Sequence, residues 1–289
     1  MTEPFRLEGV FSVLPTAFHD DGGLDLAGTT ALARASCAAG IAGLTVLGVM
    51  GEAAELSEEE RREVTTAVVA AAAPLPVVVG VSGDDPRLVR SRARDAAGLG
   101  VSAVMVSPAR SLGLADAADA ASGAGLPVII QDYPAGSGVS LSHEVIAAVL
   151  DACPLVAGVK AEAAPTTGLI AAFRHSHLQL GVLGGLGGLF LIDELRAGAS
   201  GVMTGFALPD RLVSIVATFL IDPAAAERDW ASLLPLMRLE AFQPFSLAAR
   251  KEVWRLRGVI ESARCRRAGA VLDDRARDDV RLALDRVLA

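Results

Sequence analysis

Residues 74–106, PLPVVVGVSGDDPRLVRSRARDAAGLGVSAVMV, decide the fold. A short apolar run, Pro76–Val79, is followed by Pro86, placed where a helix begins. Alanine-rich helical sequence then ends at Gly98 or Gly100, and a second apolar run, Ala103–Val106, follows. Proline presets the dihedral of a first helical turn, and glycine closes a last one. Runs this brief, apolar at both parities, belong to strands buried on both faces of a parallel sheet. The stretch reads as one β-α-β unit.

The same alternation extends to both sides. Further strands are expected at Phe11–Pro15, Gly43–Leu47, Val128–Gln131, Val156–Lys160, Gly181–Leu183 and Gly201–Thr204. Between them, Ser57 and Glu60 form a capping box ahead of an acidic first turn. Leu114–Ala121 suits a short helix, and Ser142 caps another over His143–Leu150. Eight strands with intervening helices predict an α/β fold, a closed (β/α)₈ TIM barrel, over residues 1–222. An open doubly wound sheet is the competing architecture, but no GxGxxG follows the first strand. From Pro223 the strand pattern stops. Ala224–Arg238, Ser246–Ala268 and Asp273–Leu288 have helical periodicity, so residues 223–289 are expected to be a C-terminal helical extension.

Composition narrows the function. Hydrophobic residues make up 52% of the 289, enough for a large core, and the net charge of −8 disfavours nucleic acid as a partner. The apolar stretch Val64–Ala73 is too short to span a bilayer, so no membrane partner is expected. The N-terminus has no secretory pattern, and Cys37, Cys153 and Cys265 lack disulfide or zinc spacing, which suits a cytoplasmic protein with reduced thiols. His175 and His177, two residues apart, do not share a helical face, so no metal site is expected.

In a barrel, function gathers at the C-terminal ends of the strands. Lys160 ends the sixth expected strand, and only one other lysine, Lys251, occurs among 26 basic residues. An amine pointed into a barrel mouth is partly desolvated, which disfavours the ammonium form and favours attack on carbonyls. A structural ion pair with Glu162 is the plainer role. Lys251, on an amphipathic helix, is expected to be solvated. Gly48-Val49-Met50-Gly51-Glu52 follows the second strand, and its glycines allow close backbone approach and an anion-binding nest. Gly184-Gly185-Leu186-Gly187-Gly188 follows the seventh; it suits a tight turn or a ligand's close approach, with a phosphate cradle as the alternative. Gly184, just past strand seven, and Thr204, closing strand eight, are candidate substrate contacts.

These segments together resemble the dihydrodipicolinate synthase / N-acetylneuraminate lyase family of class I lyases. The resemblance is carried by Leu14-Pro15-Thr16-Ala17-Phe18, Gly48 to Glu52 with Leu56-Ser57-Glu58-Glu59-Glu60-Arg61, Pro127-Val128-Ile129-Ile130, Gly158-Val159-Lys160 and Gly198-Ala199-Ser200-Gly201, in that order. It implies that Lys160 forms a Schiff base with a small-molecule 2-oxo acid, whose carboxylate the Met50 and Gly51 amides would hold. It implies no cofactor, since the protein supplies the imine chemistry, and a homo-oligomer, dimer or tetramer.

The departures are informative. Gln131 stands where the family has a relay tyrosine, and Val49 and Met50 replace hydroxyl residues. Ser107-Pro108-Ala109-Arg110 replaces a Pro-Tyr-Tyr segment, and no arginine follows Pro134 in Ala135-Gly136-Ser137-Gly138. True dihydrodipicolinate synthase activity is therefore not expected. Gln131-Asp132 before a proline, with Lys160 and Glu162, is similar to 2-keto-3-deoxy sugar-acid dehydratases. The expected activity is thus dehydration or aldol cleavage, with Lys160, Glu162 and Tyr133 catalytic and Gln131 and Arg110 as further substrate contacts. A non-catalytic 2-oxo-acid-binding barrel and a phosphate-binding barrel enzyme are the alternatives.

Overall fold

The computed structural model describes residues 5–241 and 245–289. Eight parallel strands close in sequence order: β1 (Gly9–Val13), β2 (Gly43–Val46), β3 (Val77–Gly80), β4 (Ala103–Val106), β5 (Val128–Asp132), β6 (Val156–Ala161), β7 (Gly181–Gly184) and β8 (Gly201–Thr204), with β8 pairing back onto β1. The fold is the expected TIM barrel with C-terminal helices. β1 stops two residues before Pro15, which has no N–H to give a ladder.

Each strand is buried on both faces, which is why the runs carry no polar alternation. Phe11, Val13, Val78, Ala103, Met105, Ile129, Leu183 and Met203 pack with Leu7 inside the barrel. Residues of the opposite parity, among them Val10, Val46, Val79, Val104, Ile130 and Val159, pack outward beneath the helices. The capping box forms as its spacing predicts: Ser57 Oγ accepts from the Glu60 amide at 3.2 Å, and Glu60 Oε2 accepts from the Ser57 amide at 2.9 Å. Helix Pro86–Gly98 has proline in its first turn and Asp85 as cap, accepting from the Arg87 amide at 2.6 Å.

Two expectations for the C-terminal region are corrected. Helices occupy Pro223–Ala241, Ser246–Leu256 and Asp274–Leu288, so the helix expected over Ser246–Ala268 ends twelve positions early. Gly258 sits at φ 71°, where glycine ends a helix at little cost. The chain beyond it returns to the loops after β1 and β2: Arg266 Nε donates to the Gly22 carbonyl at 2.9 Å, and the Arg267 amide donates to Glu52 Oε2 at 2.7 Å. Lys251 is not solvated but wholly buried, its Nζ 2.6 Å from Glu52 Oε1 and 4.4 Å from the centre of the Phe18 ring. All nine residues from Ser246 to Trp254 are buried, so this helix has no solvent face along that stretch. No helix among the described residues is long and apolar enough to cross a membrane.

Candidate active site

A cavity of about 170 Å³ opens at the C-terminal ends of the strands, where β2, β5, β6, β7 and β8 deliver their loops. Lys160 enters it from β6, 5% exposed. Register places Lys160 opposite Gln131 of β5 and Leu183 of β7. The inward parity that fills the barrel with Ile129 one layer below brings Gln131 and Lys160 to the mouth.

Glu162 is the hub of the polar groups. Its Oε2 lies 2.9 Å from Lys160 Nζ and accepts from Gln131 Nε2 at 2.7 Å. Its Oε1 accepts from the Leu186 amide at 3.2 Å. The backbone of the β7 loop is shaped for this. Leu186 has φ 46°, a conformation costly for a bulky residue, which aims its amide at the carboxylate. Glycine at position 185 leaves room for Glu162, which a Cβ there would displace. Gly184 is likewise filled from outside, by Glu194, and does not line the cavity. Two carboxylates against these glycines leave the loop unsuited to phosphate, and Leu186 already gives its amide to one of them.

Tyr133 lines the cavity half-buried, its ring lying over Gly136. Burial, and secondly the charge of Glu162, push its phenol above the ordinary value. Asp132, of opposite parity, is buried behind the strand. Its carboxyl is raised to about 6 by burial first and by Glu162 second.

The β2 loop behaves differently from expectation at one atom. Val49–Gly51 forms a single tight turn in which the Gly51 amide donates to the Gly48 carbonyl at 3.0 Å. That donor is engaged within the turn, so the expected role for the Gly51 amide is corrected. Thr16 Oγ1 fixes the turn from below, donating to the Gly51 carbonyl at 2.7 Å. The Val49 and Met50 amides, first in the turn, have no acceptor within it. Gly48, Val49 and Met50 line the cavity; Gly51 is buried beneath them. Thr204 lines it from the end of β8. Arg110 does not reach the cavity: it is exposed, with its guanidinium against Gly138.

The lining residue of most chemical consequence that the sequence did not single out is charged. Arg250, from helix Ser246–Leu256, reaches the cavity, its guanidinium against Met50 Sδ and its Nε 3.3 Å from Glu240 Oε2. Nothing in the local pattern separates it from the helix's other basic residues, because its place depends on how the extension docks. Among the described residues no group of His, Cys, Asp and Glu side chains is arranged to hold a metal.

Residues 6–287 match the model of the dihydrodipicolinate synthetase family. The chain is 31% identical to the L-2-keto-3-deoxyarabonate dehydratase of Azospirillum brasilense, across 90% of this chain and 88% of that one. It is 29% identical to the 4-hydroxy-tetrahydrodipicolinate synthase of Salinibacter ruber, across 82% of each. Among solved structures, a dihydrodipicolinate synthase from Rhodopseudomonas palustris superposes with a TM-score of 0.92 at 33% identity, covering 99% of this chain and all of that one. A barrel closed in this order, a strand-ending lysine at its mouth and a match spanning nearly every residue lead to one conclusion: the chain belongs to the dihydrodipicolinate synthetase family.

Proposed function

We propose that this protein is a Schiff-base lyase that dehydrates a 2-keto-3-deoxy sugar acid. The observation that carries the reading is the buried Lys160–Glu162 pair at the cavity mouth, 2.9 Å apart. The likeness to the Azospirillum dehydratase supports the substrate class and the choice of dehydration over aldol cleavage.

Glu162 takes a proton from the lysine as the amine attacks the C2 carbonyl. The carbinolamine loses water and leaves an iminium. That cation is an electron sink, so the C3 proton becomes acidic, and the Glu162 carboxylate is within reach to remove it. The C4 hydroxyl then departs with a proton, supplied by protonated Glu162 or by the Tyr133 phenol. A proton next moves from C5 to C3, which turns the C3–C4 alkene into a C4–C5 enol that becomes the aldehyde, and hydrolysis of the imine returns the amine. The net change is loss of one water and formation of a 2-oxo acid semialdehyde. Gln131 cannot shuttle a proton, but its amide holds the Glu162 oxygen that faces Lys160. A relay centred on the carboxylate thus needs no tyrosine at position 131.

Borohydride reduction in the presence of pyruvate or a 2-keto-3-deoxy pentonate, read by peptide mass spectrometry, tests the scheme. One reduced adduct is expected, on Lys160, with Lys251 unmodified and no adduct in Lys160→Ala. An unmodified Lys160 overturns the reading. Adduct formation without turnover across a panel of sugar acids would make the chain a 2-oxo-acid-binding barrel instead.

A further inference from the structure

The β2 loop offers a carboxylate no hydroxyl donors, since Val49 and Met50 carry none, and the Gly51 amide is already engaged. A 2-oxo acid bound at Lys160 through its carbonyl must still place its carboxylate within about one bond of the reacting carbon. Lys160 and Glu162 offset each other's charge, so neither neutralises a second anion. Among the described residues, one other cation lines the cavity, Arg250.

Its setting is built rather than incidental. The side chain is 7% exposed and lies where the loops after β2, β7 and β8 converge. Cβ atoms at Gly187 and Gly205 would stand 3.4 and 3.6 Å from its terminal nitrogens, so glycine at both positions leaves space around the fork. Glu240, itself fully buried, anchors the Nε edge, and Nη1 faces the Met50 thioether, a weak acceptor. A guanidinium has five donors, and these contacts leave most of the outer edge without a strong acceptor among the described residues. A carboxylate would satisfy that edge in the paired geometry that arginine favours.

We infer that Arg250, carried by the C-terminal extension, is the residue that binds the C1 carboxylate of the substrate, together with the Val49 and Met50 amides. This rests on the imine reading of Lys160 and assigns the anion-binding half of that site. It explains how the β2 loop dispenses with hydroxyl side chains: the charge comes from the opposite side of the cavity. It also makes the extension part of the binding site, so that a barrel without it would lack its carboxylate clamp.

The test is the concentration dependence of borohydride trapping on Lys160, with pyruvate and with methyl pyruvate, whose ester carries no charge. Two variants guard against misfolding: Arg250→Lys, which keeps a cation beside Glu240, and Arg250→Met combined with Glu240→Gln, which leaves no buried charge behind. Half-saturation by pyruvate is expected to rise about 10- to 100-fold in the double variant and less in Arg250→Lys, the loss typical of a charged hydrogen-bond partner. Half-saturation by methyl pyruvate is expected to stay within about twofold, so that discrimination between acid and ester collapses. Wild-type trapping with unchanged pyruvate half-saturation in both variants overturns the assignment of Arg250 alone. Absence of any wild-type adduct overturns the imine reading, and this assignment with it.

Discussion

Glu162 joins the two halves of the site, since one carboxylate oxygen faces the Lys160 amine and Gln131 while the other is held by the Leu186 amide. Glu162→Gln keeps the shape and removes the proton acceptor, so kcat is expected to fall about 10²- to 10⁴-fold. The KM for the oxo acid should shift far less, because the carboxylate contacts proposed for Arg250 and the loop amides do not involve Glu162. Steady-state kinetics decide it: an unchanged kcat would remove Glu162 from the chemistry. At this scale much was legible. A lysine ending an apolar run, and a carboxylate two residues on at the same parity, predict two groups at one mouth, and they lie 2.9 Å apart. The Gly51 amide was not legible, because glycine content marks a tight turn without telling which donors the turn itself consumes. Nor was Arg110, since a loop position four residues past the end of β4 does not fix where a long side chain lies.

Among the elements, the helix Ser246–Leu256 departs most from its sequence. Its charged positions suggested a wet face, yet Arg250, Lys251 and Glu252 are all buried. The pattern misleads because each charge is paired once the chain has folded: Arg250 with Glu240 of the preceding helix, Lys251 with Glu52, and Glu252 with Arg255 of its own helix and with Arg277. Periodicity separates polar from apolar positions, but it cannot see a matching charge brought in from 199 residues away. Burial pushes the Lys251 ammonium below its ordinary value, opposed by Glu52. Glu52, held at φ 52°, also accepts from the Arg267 amide, so the turn carrying Met50 is tied to the extension. Lys251→Met would leave a dry carboxylate with no counter-charge on its Oε1 side and is expected to cost about 3–5 kcal/mol in urea unfolding. Adding Glu52→Gln should recover most of that loss. A single variant as stable as wild type would show that the pair does not hold the loop and the extension together.

Across the whole molecule, the barrel collects buried acids around its mouth, and this sets how stability follows pH. Burial raises Glu194 and Glu240 to about 7 and Asp132 to about 6. Glu60 runs the other way, held at about 2 by its hydrogen bond from Arg266. A carboxyl whose value rises on folding contributes stability that is complete below its ordinary value and is lost as pH climbs through the folded one. A carboxyl whose value falls contributes stability present above its ordinary value and lost as pH drops through the folded one. The two sets together favour a maximum in mildly acid solution. Glu194 isolates one contribution. Its Oε1 accepts from Thr166 Oγ1 at 2.7 Å, its Oε2 has no hydrogen-bond partner among the described residues, and Glu162 adds like charge nearby. Below pH 4.5 the neutral acid fits this site; above 7 the fold must hold a dry anion or release strain elsewhere. Glu194→Gln fixes the neutral form while keeping the acceptor for Thr166. The variant should therefore match wild type at pH 4 and gain on the order of 3 kcal/mol over it by pH 9, the linkage expected for a rise from 4.5 to about 7. Urea unfolding of both proteins at the two pH values measures the gap. A gap that does not widen with pH would mean that Glu194 stays charged throughout, with the cost of its burial met by contacts other than protonation.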